Sequence, residues 1–289
     1  MSSAFSCPQC SALVEMPPER LATTCPYCRS PLVAATAEGA RPDLVAPFRL
    51  TREQAGFRLQ QHLRAQHWSP NSIRRQAAPG KLEGVLLPFW VHDGIARSQW
   101  RARLGLYYWR TVRRGNKTVR ERETEWFECE GSHVAEFKDQ LVSASKGLPE
   151  KDANALEPFD VGQAQPFEAA MVAGWIAELP TIGREDAAGT AAEELREVER
   201  RAIARFVTAD QVGSISNETT LDGVSVKLAL LPAWLATYSH AGKTLRLVVN
   251  GQTGEVVGKV PVSPAKVAAV VIAGLVLVAA FILLVVLTD

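Results

Sequence analysis

Gly84-Val85-Leu86-Leu87-Pro88-Phe89-Trp90-Val91-His92 has strand character, and its centre recurs: Leu86-Leu87-Pro88-Phe89-Trp90 returns as Leu230-Leu231-Pro232-Ala233-Trp234. Each copy is preceded by a helical stretch and followed by strands. Before the first, Thr51 with Gln54 makes a capping box for a helix that carries Leu59 and Leu63 and stops at Trp68-Ser69-Pro70. Strand-like runs then cover 96–113, 118–129 and 138–144, with Arg114-Gly115-Asn116-Lys117 as a hairpin turn. Before the second copy, helical spacing covers 166–179 and 187–206, where Leu195, Val198, Ala202, Ile203 and Phe206 share a face. Strands resume over 225–240 and 244–260, closed by the turn Asn250-Gly251-Gln252-Thr253-Gly254. The expected class is α+β, with residues 48–262 forming one domain. Under a duplication, that domain divides into two helix-plus-antiparallel-sheet units, 48–150 and 155–262. Coincidence of one short motif is the competing reading.

Upstream, Cys7-Pro8-Gln9-Cys10 and Cys25-Pro26-Tyr27-Cys28 have the spacing of two knuckles that present four thiolates to one Zn²⁺, so residues 1–33 read as a zinc ribbon. With no ligand position left open, the site is expected to be structural. A pair of redox Cys-x-x-Cys motifs normally sits at a helix start in an α/β pattern, which is absent here. Residues 1–40, the ribbon with the start of the segment after it, carry a net charge of −1, two arginines against three glutamates, which argues against phosphate binding. Residues 34–47, rich in small residues and proline, read as a linker.

At the other end, Val267 to Leu287 holds no charged or strongly polar residue and at about 1.5 Å per residue is long enough for a bilayer, so 265–287 reads as a transmembrane helix. Lys259 and Lys266 precede it and Asp289 follows, a bias that places the bulk of the chain in the cytosol under an inner or plasma membrane, single-pass. Neither a signal peptide nor a dispersed disulfide framework is evident, in keeping with a reducing compartment.

Overall charge is +1, so any electrostatic partner must act on a local patch. One exists: residues 97–122 carry nine Lys/Arg and one acid. Arg110, Arg113, Arg114, Lys117 and Arg120 are its candidate lipid- or anion-binding residues. His92 and Asp93 lack a third partner for acid/base chemistry, and the second copy has Leu235 and Ala236 there. His62, His67, His133 and His240 lack ligand spacing, and Cys129 reads as an ordinary strand cysteine.

The ribbon, Trp68-Ser69-Pro70-Asn71, the two LLPxW motifs, Leu156-Glu157-Pro158-Phe159-Asp160, Ala173-Gly174-Trp175, VNGQTGEVVG at 249–258 and the terminal apolar helix together resemble a bacterial family of zinc-ribbon, C-terminally anchored membrane proteins. That family often carries a primosomal-helicase-like label because of its ribbon. The resemblance implies neighbours of the stomatin-like (SPFH) or phage-shock-like kind, which such proteins would tether to the membrane, and supplies no catalytic residues. The expected function is a non-enzymatic, membrane-tethered scaffold for protein partners. The alternative is a membrane-associated nucleic-acid-binding regulator that uses the ribbon and the basic hairpin.

Overall fold

The structure is a computed structural model that describes residues 3–17, 20–33, 41–70, 73, 82–240 and 243–288. It is α+β, and its chain forms two compact units, each assembled from separate stretches of sequence: 1–88, 147–179 and 230–289 in one, 89–146 and 180–229 in the other. These do not follow the boundaries 48–150 and 155–262. Strands β6 (Leu82–Arg114) and β10 (Gln211–His240) run through both units, which is why neither unit is a contiguous half.

In the first unit, β1 (Ser3–Ser6) and β2 (Leu13–Met16) pair as a separate two-stranded sheet. The large sheet runs β12 (Val256–Gly258), β11 (Lys243–Asn250), β10, β6, β9 (Ile176–Glu178), β3 (Arg20–Thr24) and β4 (Pro31–Val33). The ribbon is therefore joined to the domain. Ala22 pairs with Ala177, and Leu21 and Ala22 are buried with Val45, Leu86, Phe167 and Leu230. Of the expected linker, residues 34–40 lie outside the described residues. Residues 41–47 are packed: Val45 and Ala46 are buried, and β5 (Leu44–Val45) pairs with β8 (Gln165–Pro166) and β10.

Helix α1 (Arg52–Ala65) has the expected capping box, with Thr51 Oγ1 accepting from Gln54 N and Gln54 Oε1 accepting from Thr51 N. Its buried Ala55, Leu59 and Leu63 lie four residues apart and pack with Trp234, Ala236, Tyr238, Leu247 and Val249 of β10 and β11. The expected helix over 166–179 is cut short to α3 (Ala169–Val172), which follows α2 (Glu150–Leu156). Gly174 at φ +88 turns the backbone out of the helical region, and Trp175 then packs against Phe48 and Trp234. The turn at 250–254 is a hub: buried Asn250 donates to the carbonyls of Leu156 and Pro158 and accepts from Gln252 N and Thr253 N.

In the second unit, β6 and β7 (Lys117–Ser143) form one long antiparallel hairpin rather than the separate short strands that the sequence suggests. Arg114 pairs with Lys117 across a two-residue turn whose first residue, Gly115, takes φ +61, as glycine can at no steric cost. Helix α4 (Arg184–Phe206) covers the hairpin's base with a stripe at every fourth residue: Ala187, Ala191, Leu195, Glu199 and Ile203. That stripe corrects the expected face, because Val198 and Phe206 are about half exposed while Glu199 is buried.

The two units repeat one arrangement. Trp234's indole N–H donates to Leu50 O, two residues before α1, and Arg52 lies 5.8 Å from the Trp234 ring. Trp90's indole N–H donates to Ile182 O, two residues before α4, and Arg184 lies 5.7 Å from the Trp90 ring. In both cases the tryptophan of an LLPxW motif fixes the entry of the other motif's helix.

Candidate functional site

The four cysteines are brought together by two knuckles of the same design. Cys7 N donates to Ala12 O and Ser11 N to Cys7 O; Cys25 N donates to Ser30 O and Arg29 N to Cys25 O. Ser11 and Arg29, at the matching position of each knuckle, both take positive φ, 58° and 60°. One ligand atom from each of Cys7, Cys10, Cys25 and Cys28 lies within 4.8 Å of the other three. Cys7 Sγ and Cys28 Sγ are 3.6 Å apart, and Cys10 Sγ and Cys25 Sγ 3.8 Å. A tetrahedral ion with metal–sulfur bonds of about 2.3 Å needs sulfurs about 3.8 Å apart, so this donor set can hold one metal ion.

Ser30, which the Cys-x-x-Cys spacing does not reveal, lies 3.2 Å from Cys7 Sγ and 2.9 Å from Cys28 Sγ through its hydroxyl. The Ser30 hydroxyl, helped by the Cys10 backbone, holds the Cys7 thiol down at about 6, and it lowers Cys28 as well. Cys10 is pushed up to about 12: the backbone at Ala12 favours its thiolate, but Cys28, burial and the other two cysteines together oppose it more strongly. Thiolates this close repel one another unless a cation sits between them. Val14 and Leu32 bury Cys7 and Cys25 from behind, while Leu13 and Tyr27 stand 72% and 71% exposed on the ribbon's surface.

Helix α5 (Pro264–Thr288) is long and apolar enough to cross a membrane, and beyond its first turn, from Val267 to Ile282, it is exposed among the described residues. Its first turn is fastened to the loop leaving α1. Ser263 N donates to Trp68 O at 2.7 Å, and Lys266 Nζ donates to Ser69 O at 2.8 Å and His67 O at 3.1 Å. Trp68 remains 47% exposed beside that junction.

The five basic candidates separate by face. Along an antiparallel hairpin, directly opposed residues share a face and successive residues alternate. Arg110, Arg114 and Lys117 lie with Glu121, Glu123 and Glu125; Arg110 pairs with Glu123 at 3.5 Å and Arg114 with Glu121 at 2.9 Å. Arg113 and Arg120 lie on the other face with Arg122, which the sequence reading omitted. The excess of 97–122 is also smaller than it looked, since 123–130 folds back alongside it with four more glutamates.

His92 is buried, neither ring nitrogen has a hydrogen-bond partner among the described residues, and neighbouring Asp93 accepts from Asp139 N, so the two do not form an acid/base pair. His133 is not a bystander. Its Nδ1 lies 2.7 Å from buried Glu199 Oε2, which also accepts from Ser98 Oγ at 2.9 Å. Cys129 packs beside Ala102, Leu104 and Ile203.

Compared with known proteins, the chain is 26% identical over 229 residues to YdjG of Bacillus subtilis (strain 168), a protein described as uncharacterized. The match covers 79% of this chain and 66% of YdjG. No family model and no solved structure matches the chain.

Proposed function

We propose that the protein is a non-enzymatic, membrane-tethered adaptor whose zinc ribbon and attached domain hold protein partners at the cytosolic face of a bacterial inner or plasma membrane. The observation that carries this reading is the clamp at the start of α5, where Ser263 and Lys266 bond the loop 67–69. A freely swinging tether would need no such bonds. An anchor gripped by the domain fixes how the domain is presented to the bilayer.

Zinc is the metal we assign to the ribbon, because four thiolates in tetrahedral spacing suit a closed structural Zn²⁺ site. Leu13 and Tyr27 expose apolar surface on it and residues 1–33 hold two arginines against two glutamates, with no cationic excess, which favours a protein contact over a nucleic acid. Partners of the stomatin-like or phage-shock-like kind follow from the family resemblance. The matched Trp–helix contacts in the two units support an ancestral duplication in which each half's helix packs on the other half's hairpin.

Affinity purification of the full chain from detergent-solubilised membranes, with and without nuclease, tests the adaptor reading. Defined proteins should co-purify regardless of nuclease and be lost on Leu13→Ser with Tyr27→Ser. Recovery of nucleic acid alone, or a set of proteins that nuclease removes, would contradict it.

A further inference from the structure

Beyond the base that α4 covers through Ala102, Leu104 and Ile203, the hairpin of β6 and β7 has two chemically distinct faces. One is neutralised by its own glutamates, as described above, with Tyr108 Oη donating to Glu123 at 2.5 Å. The other carries Tyr107, Trp109, Thr111, Arg113, Thr118, Arg120, Arg122 and Thr124, and from Gly105 to Trp126 no acid stands on it.

Cations and rings interleave on this second face. Arg122 lies 4.2 Å from the Tyr107 ring, Arg120 5.9 Å from Trp109 and, at its base, Arg103 5.1 Å from Trp126. A guanidinium over a ring keeps its in-plane N–H groups free to fork onto a phosphate while the ring holds its plane. Trp109 is 59% exposed.

We propose that this face is a docking surface for the headgroup layer of an anionic phospholipid membrane. Three observations select that occupant. From Gly105 to Trp126 the face is cationic without acids, Glu128 standing on it only below that stretch, opposite Arg103, and this complements lipid phosphates. It pairs the cations with tryptophan and tyrosine, the residues that settle at the headgroup level of bilayers. The same chain carries α5, and tethering to a bilayer raises the effective concentration of lipid around everything attached. This inference rests on the membrane-tethered reading and assigns to it a second, lipid-selective contact.

The test uses the full chain in nanodiscs of phosphatidylcholine alone or of phosphatidylcholine mixed with phosphatidylglycerol. Incorporation into either disc reports the anchor, and hydrogen exchange of residues 105–126 reports the face, so the two readings fail separately. Exchange over 105–126 should slow severalfold in the anionic discs. That protection should vanish in Arg120→Gln with Arg122→Gln and persist in Arg110→Gln with Arg114→Gln, which alter the opposite face. Equal exchange in both lipids, or protection that survives Arg120→Gln with Arg122→Gln, overturns the proposal. So does protection conferred in neutral discs by a single-stranded oligonucleotide but not by anionic lipid. Failure to incorporate into either disc overturns the membrane reading beneath it.

Discussion

Gly84 shows how one residue can be fixed by its neighbours. A Cβ there would sit 2.3 Å from Trp175 Cζ3, so Gly84→Ala must displace an indole that packs on Phe48 and Trp234, at about 1–3 kcal/mol. Gly189, exposed in α4, has nothing within 4 Å of its added Cβ, and Gly189→Ala should stabilise by up to about 1 kcal/mol. Chemical denaturation of the two variants should give opposite signs. His92 makes a pH prediction. Burial holds its imidazole below the ordinary 6.5, with Arg184 adding to the effect and the backbones of Gln140 and Trp90 and the Asp93 carboxylate opposing it. Above pH 6.5 both folded and unfolded chains keep it neutral. Below that value the unfolded chain takes up a proton first, so stability falls as the pH drops. Thermal melting between pH 7.5 and about 5.5 should therefore fall less in His92→Leu than in the natural protein; identical slopes would count against this role. The cysteine ligands were legible because metal spacing is local. Glu199 was not, since its burial depends on Ser98 and His133, distant in sequence.

Elements were legible where the signal is confined to a few residues and obscure where a partner decides. Thr51 and Gln54 announce α1, and Thr51→Ala should cost about 1 kcal/mol through the lost cap. The first half of β10, Gln211 to Val224, is polar and gave no strand signal; it is a strand because β6 lies beside it, with Arg97 on Asp222 and Thr220 Oγ1 on Arg97 O. Likewise nothing local shows that β3 completes a sheet with β9. That pairing makes the two knuckles unequal. Cys7→Ser and Cys25→Ser should each abolish metal binding at the four-cysteine site, as elemental analysis would read. Hydrogen exchange should then rise over 3–16 in both, while 20–24 keeps partial protection in Cys7→Ser through its bonds to β9. Equal loss across both hairpins in Cys7→Ser would show that the sheet lends the ribbon no support.

At the scale of the molecule, LLPxW hinted at duplication, and Trp90 and Trp234 make matched contacts with the residues that lead into α4 and α1. What no sequence pattern conveyed is which strands each helix meets: α1 packs mainly on β10 and β11, and α4 on β6, β7 and the first half of β10. Fragments 1–150 and 151–289 should therefore fold poorly apart and co-purify when co-expressed, because each lacks strands that its own helix covers. Central to the proposed function is that α5 enters a bilayer with the domain on the cytosolic side. Alkaline extraction of membranes, followed by protease added outside intact cells, measures both at once. The full chain should stay in the membrane pellet with residues 1–260 uncut; release by alkali, or cleavage from outside, would contradict the account.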